Sequence, residues 1–176
     1  SASYCFTMPD NAVSYKAWSV ANTDTPYTVV HKQQNLDDVR YGIVADTDYL
    51  TGTTDTQTVA TANTYEGFTA KAIEQLNING DGSTVVEVLY DRNKHTLEVQ
   101  DAMHVDSHTP TQNDVKYEQE TTITATPEVG YHISKWVDQD GKEYPVSGND
   151  PSITVKMIDK DMSYLPVAEQ KPDTQY

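Results

Sequence analysis

Apolar and polar residues alternate with a period of two along most of this chain, the pattern of half-buried strands. Thr84-Val85-Val86-Glu87-Val88-Leu89-Tyr90 shows it most clearly, directly after the turn signal Asn79-Gly80-Asp81-Gly82-Ser83. Tyr27 to Gln34 predicts another strand, Asn35-Leu36-Asp37-Asp38 a turn, and Tyr41 to Asp46 a returning strand, with Leu50 to Thr54 breaking the pattern. Gln57 to Tyr65 suits a short helix or a strand. Phe68 to Leu76 reads as strand, although Ala70 to Leu76 would also make two helical turns. Further on, Tyr117 to Thr126 predicts a strand, Pro127 to Gly130 a turn, and Tyr131 to Val137 a second strand. Asp138-Gln139-Asp140-Gly141-Lys142 then closes an Asp-Gly hairpin. Ile153 to Met157 is the expected closing strand, and Tyr4 to Met8 has the same alternation.

The chain also repeats itself. Met8, Asp10, Ser14 and Tyr15 recur 149 residues later as Met157, Asp159, Ser163 and Tyr164, and Asp24-Thr25-Pro26-Tyr27 returns as Asp173-Thr174-Gln175-Tyr176. A weaker likeness links Thr61 to Phe68 with Thr124 to Tyr131, and Gly80 to Ser83 with Gly148 to Ser152. Two related modules alternating within one period account for both. The expected layout is residues 1–18 as the closing strand of a preceding repeat, 19–26 as linker, 27–99 and 100–167 as two modules, and 168–176 as linker to the next repeat. Trp18, after the first closing strand, is expected to pack between modules or on the linker.

Composition narrows the function. Apolar residues are only 36% of 176, and the mean hydropathy of -0.66 agrees, which suits two small β-units better than one deep core. Thr, abundant in Thr51 to Thr56 and Thr121 to Thr126, favours half-exposed strands. A net charge of -15 makes nucleic acid and anionic membrane poor partners. The single cysteine, Cys5, leaves no internal disulfide. No apolar run is long enough for a membrane span, and no signal peptide is visible.

Several segments resemble known repeats. Tyr27 to Leu36, Leu50 to Thr53, Tyr65 to Phe68 and Gly80 to Asn93 are similar to an internalin B-type (Listeria–Bacteroides) repeat. Thr122 to Pro127, Gly130 to Trp136 and Ile153 to Tyr164 resemble the divergent internalin B-repeat, and Phe6 to Tyr15 repeats that ending. The departure is Leu165-Pro166-Val167, where the family ends in aromatic residues. The resemblance implies a mainly-β fold with minor α content: two small β-grasp-like modules in tandem. It also implies the cell surface or wall of a Gram-positive bacterium, secretion, neighbouring repeats of the same chain as partners, and no catalytic residues or cofactor.

Candidate chemistry is sparse. His104, Asp106 and His108 have donor types for a metal, but the segment reads as strand or loop, without further Cys or His support. Asn77 to Ser83 lacks the distal glutamate of an EF-hand and reads as a tight turn. Asp46, Asp48, Asp138 and Asp140 read as turn carboxylates. His31 and Asp55 stand among many hydroxyls, but no nucleophile elbow accompanies them. Lys32, Lys71, Lys116 and Lys135 are candidate donors for a covalent Lys–Asn or Lys–Asp crosslink. The twelve tyrosines divide the remaining readings: Tyr27, Tyr41, Tyr90, Tyr131 and Trp136 are expected inward. Trp18, Tyr49, Tyr65 and Tyr144 are the candidate contacts for a glycan or protein ligand. A non-catalytic stalk or adhesive segment is therefore the leading expectation, and a carbohydrate-binding module the alternative.

Overall fold

The computed structural model describes residues 5, 7, 10–146 and 150–172. Among these there is no helix, so the minor α content is missing and the fold is all-β. The first sheet has four strands in the order β2-β1-β4-β3: β1 (Thr25–Gln33), β2 (Ile43–Gly52), β3 (Phe68–Ala70) and β4 (Val85–Arg92). β1 and β4 lie side by side and parallel, from Thr28↔Val85 to Gln33↔Tyr90. Alternation places Tyr27, Val29, Val86, Val88 and Tyr90 on one face, where they form a core with Ala60 and Ile78. Chain without regular structure closes that face. Gln57 forms an isolated bridge with Asn77, and the strand expected to reach Leu76 stops at Ala70. Conversely, the break expected at Leu50 does not occur, because β2 pairs with β1 as far as Gly52.

The second sheet has the order β11-β10-β13-β5-β7: β5 (Lys94–Val99), β7 (Gln112–Lys116), β10 (Tyr131–Asp138), β11 (Glu143–Pro145) and β13 (Met162–Gln170). Two separate two-stranded sheets pack on the same core, β6 (Val105–His108) with β9 (Ala125–Pro127) and β8 (Glu120–Ile123) with β12 (Ile153–Lys156). The core holds Leu97, Val115, Ile123, Ile133 and Tyr164 around the fully buried Trp136, whose indole N–H donates to the Pro151 carbonyl at 2.9 Å. The sheet changes between β4 and β5, so Leu97 and Val99 pack in the second core, whereas the expected layout put residues 27–99 in the first module.

β13 is the element the sequence pattern hid. It lies between β10 and β5, antiparallel to the first and parallel to the second. Pro166 stands opposite Trp136, beyond the stretch Met162 to Tyr164 that pairs with β5. At Pro166 the strand has a β-ladder on one side only, which is where a residue without an N–H is tolerated. The expected strand Tyr4 to Met8 lies largely outside the described residues, and residues 10–24 carry no strand.

Candidate functional site

Of the four candidate contact aromatics, two are packed and two are exposed. Tyr65 meets Tyr90 edge-on, with centroids 4.9 Å apart. Tyr144 meets Tyr164 edge-on at 5.7 Å and donates to Asp138 at 3.0 Å. Tyr49, in the edge strand β2, is 82% exposed, and Trp18 is 81% exposed with the Lys16 amine 4.3 Å from its ring centroid. Trp18 is thus exposed in this chain, with Lys16 as the cation over its face. Tyr27 and Tyr90 do point inward, whereas Tyr41 and Tyr131 are half-buried.

The candidate chemical groups are drawn into separate local bonds. His104 Nδ1 lies 3.0 Å from Glu128 and its ring stacks on Tyr131, while His108 Nε2 lies 3.0 Å from Asp101. The Asp101 carboxylate raises the pKa of His108 above its ordinary value. Among the described residues no cluster of His, Cys, Asp and Glu forms a metal cage. The Asn79 to Ser83 segment is a turn, with Gly82 at φ 76 and Asp81 accepting from the Ser83 N–H at 3.0 Å. Asp138 accepts from the N–H groups of Asp140 and Lys142, as a hairpin carboxylate does. The four candidate crosslinking amines contact other groups: Lys32 meets Glu87, Lys71 the Tyr41 hydroxyl, Lys116 two backbone carbonyls, and Lys135 the Glu143 carboxylate.

His31 has a partner that spacing did not reveal. It is wholly buried, with Nδ1 2.6 Å from the Tyr90 hydroxyl and Nε2 3.1 Å from Asp48. The Asn63 N–H donates to the same hydroxyl at 2.8 Å. A neutral imidazole donating to Asp48 and accepting from Tyr90 satisfies every member. Tyr90 has its pKa raised by burial, so its hydroxyl keeps the proton. The arrangement ties the buried His31 and Tyr90 to the partly exposed Asp48 carboxylate.

The densest polar construction joins the two cores. Arg92, at the end of β4, is buried; its Nε donates to the Gln34 carbonyl at 2.9 Å. Its Nη1 donates to the Tyr117 carbonyl at 3.1 Å and to Glu118 at 2.9 Å. Its guanidinium also lies 4.8 Å from the Phe68 ring centroid, and Phe68 meets Tyr117 edge-on. From the other side, the Lys116 ammonium donates to the carbonyls of Leu36 and Asp38, both at 2.9 Å. Asp159 accepts from the Gly67 N–H at 3.2 Å, the Asn93 amide at 2.8 Å and His95 at 2.8 Å. Hydrogen bonds from Arg92 and then Lys156 hold Glu118 below its ordinary pKa; those from Asn93 and then His95 do the same for Asp159. Backbone bonds Asn93 N–H to Gly67 and Tyr117 N–H to Asn93 run through the same place. The groove beside it, about 790 Å³, is lined by the acids Asp37, Glu118 and Glu120 and by Lys116 and Lys156, so its charge is mixed with the acids one ahead.

Comparison with known proteins places one part of the chain. Residues 95–165 match the family described as the Divergent InlB B-repeat domain. That stretch runs from β5 into β13 and contains the Trp136 core. No curated protein and no solved structure matches.

Proposed function

We propose that this chain is a non-catalytic repeat segment of a secreted or wall-anchored surface protein of a Gram-positive bacterium. It acts as a stalk or spacer that holds neighbouring domains apart, with adhesion as a secondary role. The match of residues 95–165 to a repeat domain of bacterial surface proteins supports the class. One observation supports the mechanical role: Arg92, Lys116 and Asp159 tie the two cores together from both sides. On this reading the chain comprises two modules, changing over near Asn93, with an acidic surface that keeps a long array soluble. A spacer transmits position only if adjacent modules do not swivel, and a junction with charged groups bonded to backbone carbonyls restricts swivelling.

Heteronuclear NMR relaxation tests this. A rigid pair gives one rotational correlation time for residues 25–92 and 94–170. Two independent times would remove the spacer reading. A glycan array with the same chain separates the alternative. Selective binding to one glycan class, abolished by Tyr49→Ala or Trp18→Ala, would make the chain a carbohydrate-binding module.

A further inference from the structure

The second module shows which positions of its closing segment face the core. In β12, the residue after it and β13, these are Ile153, Val155, Met157, Met162, Tyr164, Pro166 and Ala168. At the constant offset of 149 residues their counterparts are Tyr4, Phe6, Met8, Val13, Tyr15, Ala17 and Ser19. Six of the seven are apolar, Ser19 being the exception, although only Met8 and Tyr15 are identical to their counterparts. Apolar character at these positions, more than residue identity, is what the two segments share. Asp10 stands at the position of Asp159, the carboxylate that ties the second module to Gly67 and Asn93.

Surroundings, not composition, separate the two copies. Tyr164 is 2% exposed between β10 and β5, whereas Tyr15 is 65% exposed, and residues 10–24 carry no strand. Val13, Trp18 and Val20 are exposed as well. The chain just after this segment is fixed: the Asn22 carbonyl accepts from the Thr54 N–H at 2.9 Å, and the Thr25 and Thr54 hydroxyls lie 2.7 Å apart.

We infer that residues 10–21 are a donated closing segment. They insert into the body of the preceding divergent module in the array, with residues 13–21 taking the place of β13 between the equivalents of β10 and β5. The partner is that body, the equivalent of residues 95–149, which without a closing segment exposes the flank of its β10 and the apolar residues around Trp136. Each first module is then held at both ends: by the Arg92 junction behind it, and ahead by a strand that ends just before β1. The inference rests on the two-module repeat and not on the spacer role, so its failure would leave the relaxation result above untouched.

The test adds a copy of residues 95–149 directly before Ser1, which restores the order body, closing segment, first module. In hydrogen exchange, amides 13–17 are expected to slow on the order of 100-fold or more relative to the chain without the added copy. A second measurement uses register. Val137 and Leu165 are Cα partners in β10 and β13, and Lys16 stands at the position of Leu165. With Cys5→Ser, the pair Val137→Cys (added copy) and Lys16→Cys should form a disulfide readily; Val137→Cys with Asn11→Cys should not. Unchanged exchange of residues 13–17, or equal crosslinking of the two pairs, overturns the inference.

Discussion

The α-carbon of Gly67 lies against the ring of Tyr117. A β-carbon built there would sit 2.1 Å from Tyr117 Cδ1, and the Gly67 backbone is at φ 74. Two requirements, left-handed backbone and close approach of a ring from the other module, therefore meet in one residue. Tyr117 in turn packs edge-on against Phe68, which lies under Arg92. Gly67→Ala should lower stability by roughly 1–3 kcal/mol in chemical denaturation. An unchanged midpoint would show that Tyr117 swings away without penalty.

Arg92 supplies donors to two carbonyls and a carboxylate while buried. Arg92→Leu keeps much of the volume and removes every donor, leaving the carbonyl of Gln34 unpaired in a buried setting. The expected loss is about 2–4 kcal/mol, with a broadened or split unfolding transition as the cores uncouple. Arg92→Lys should recover only part of it, because an ammonium cannot span the same three acceptors. A single sharp transition in Arg92→Leu, unchanged from wild type, would refute the coupling role.

Glu118 and Asp159 carry the pH dependence of the junction. Their ordinary values are 4.5 and 3.8, and hydrogen bonds hold both lower in the folded chain. A carboxyl depressed by folding contributes stability that is complete above its unfolded value and is lost as pH falls through its folded value. The contribution of these two carboxylates to the thermal midpoint should therefore stay level from neutrality to about pH 5 and decline below that. Glu118→Gln combined with Asp159→Asn should show a shallower acid decline. Identical acid limbs in the variant and the wild type would place the decline elsewhere.

Tyr90→Phe deletes one oxygen that serves both His31 and the Asn63 N–H. Leaving the buried His31 and the half-buried Asn63 N–H without that partner should cost about 1–3 kcal/mol, far more than the small change in apolar area. Urea denaturation monitored by circular dichroism is the measurement. A neutral result would mean that water enters at Asn63.

Trp136→Ala should destabilise the second core by about 3–5 kcal/mol, since the ring is fully buried and its N–H bonds the Pro151 carbonyl. Amide exchange should rise mainly in residues 94–170, with residues 25–92 less affected. Equal loosening of both cores would show that they unfold as one unit.

Strands with strong alternation and turns with special chemistry were readable in the sequence: Thr84 to Tyr90 after Gly82, and the Asp138 to Lys142 hairpin between β10 and β11. β13 was not, because Pro166 interrupts its pattern and its tolerance depends on where β5 stops pairing, a tertiary fact. Of helix-compatible Ala70 to Leu76, Ala70 ends β3 and Lys71 to Leu76 stay irregular, with the Lys71 N–H bonded to Leu89 and Gln75 turned to Thr58 and Ala60. For the candidate site, spacing could nominate Tyr65 and Tyr144 but not show that each is packed edge-on against a buried tyrosine. The junction was invisible for a plainer reason. Gly67 and Asp159 are 92 residues apart, and Lys116 reaches Leu36 across 80, so no local pattern relates them.

The parallel pairing of β1 with β4, and of β5 with β13, has a mechanical consequence. In each module the two neighbouring strands lie near its chain ends, so tension along the chain pulls them past one another lengthwise. The rungs of the ladder then resist together, instead of opening one at a time as at the end of a hairpin. For β1 and β4 that means the register from Thr28↔Val85 to Gln33↔Tyr90 is strained as a unit. Pulled from its ends, the chain meets force in shear.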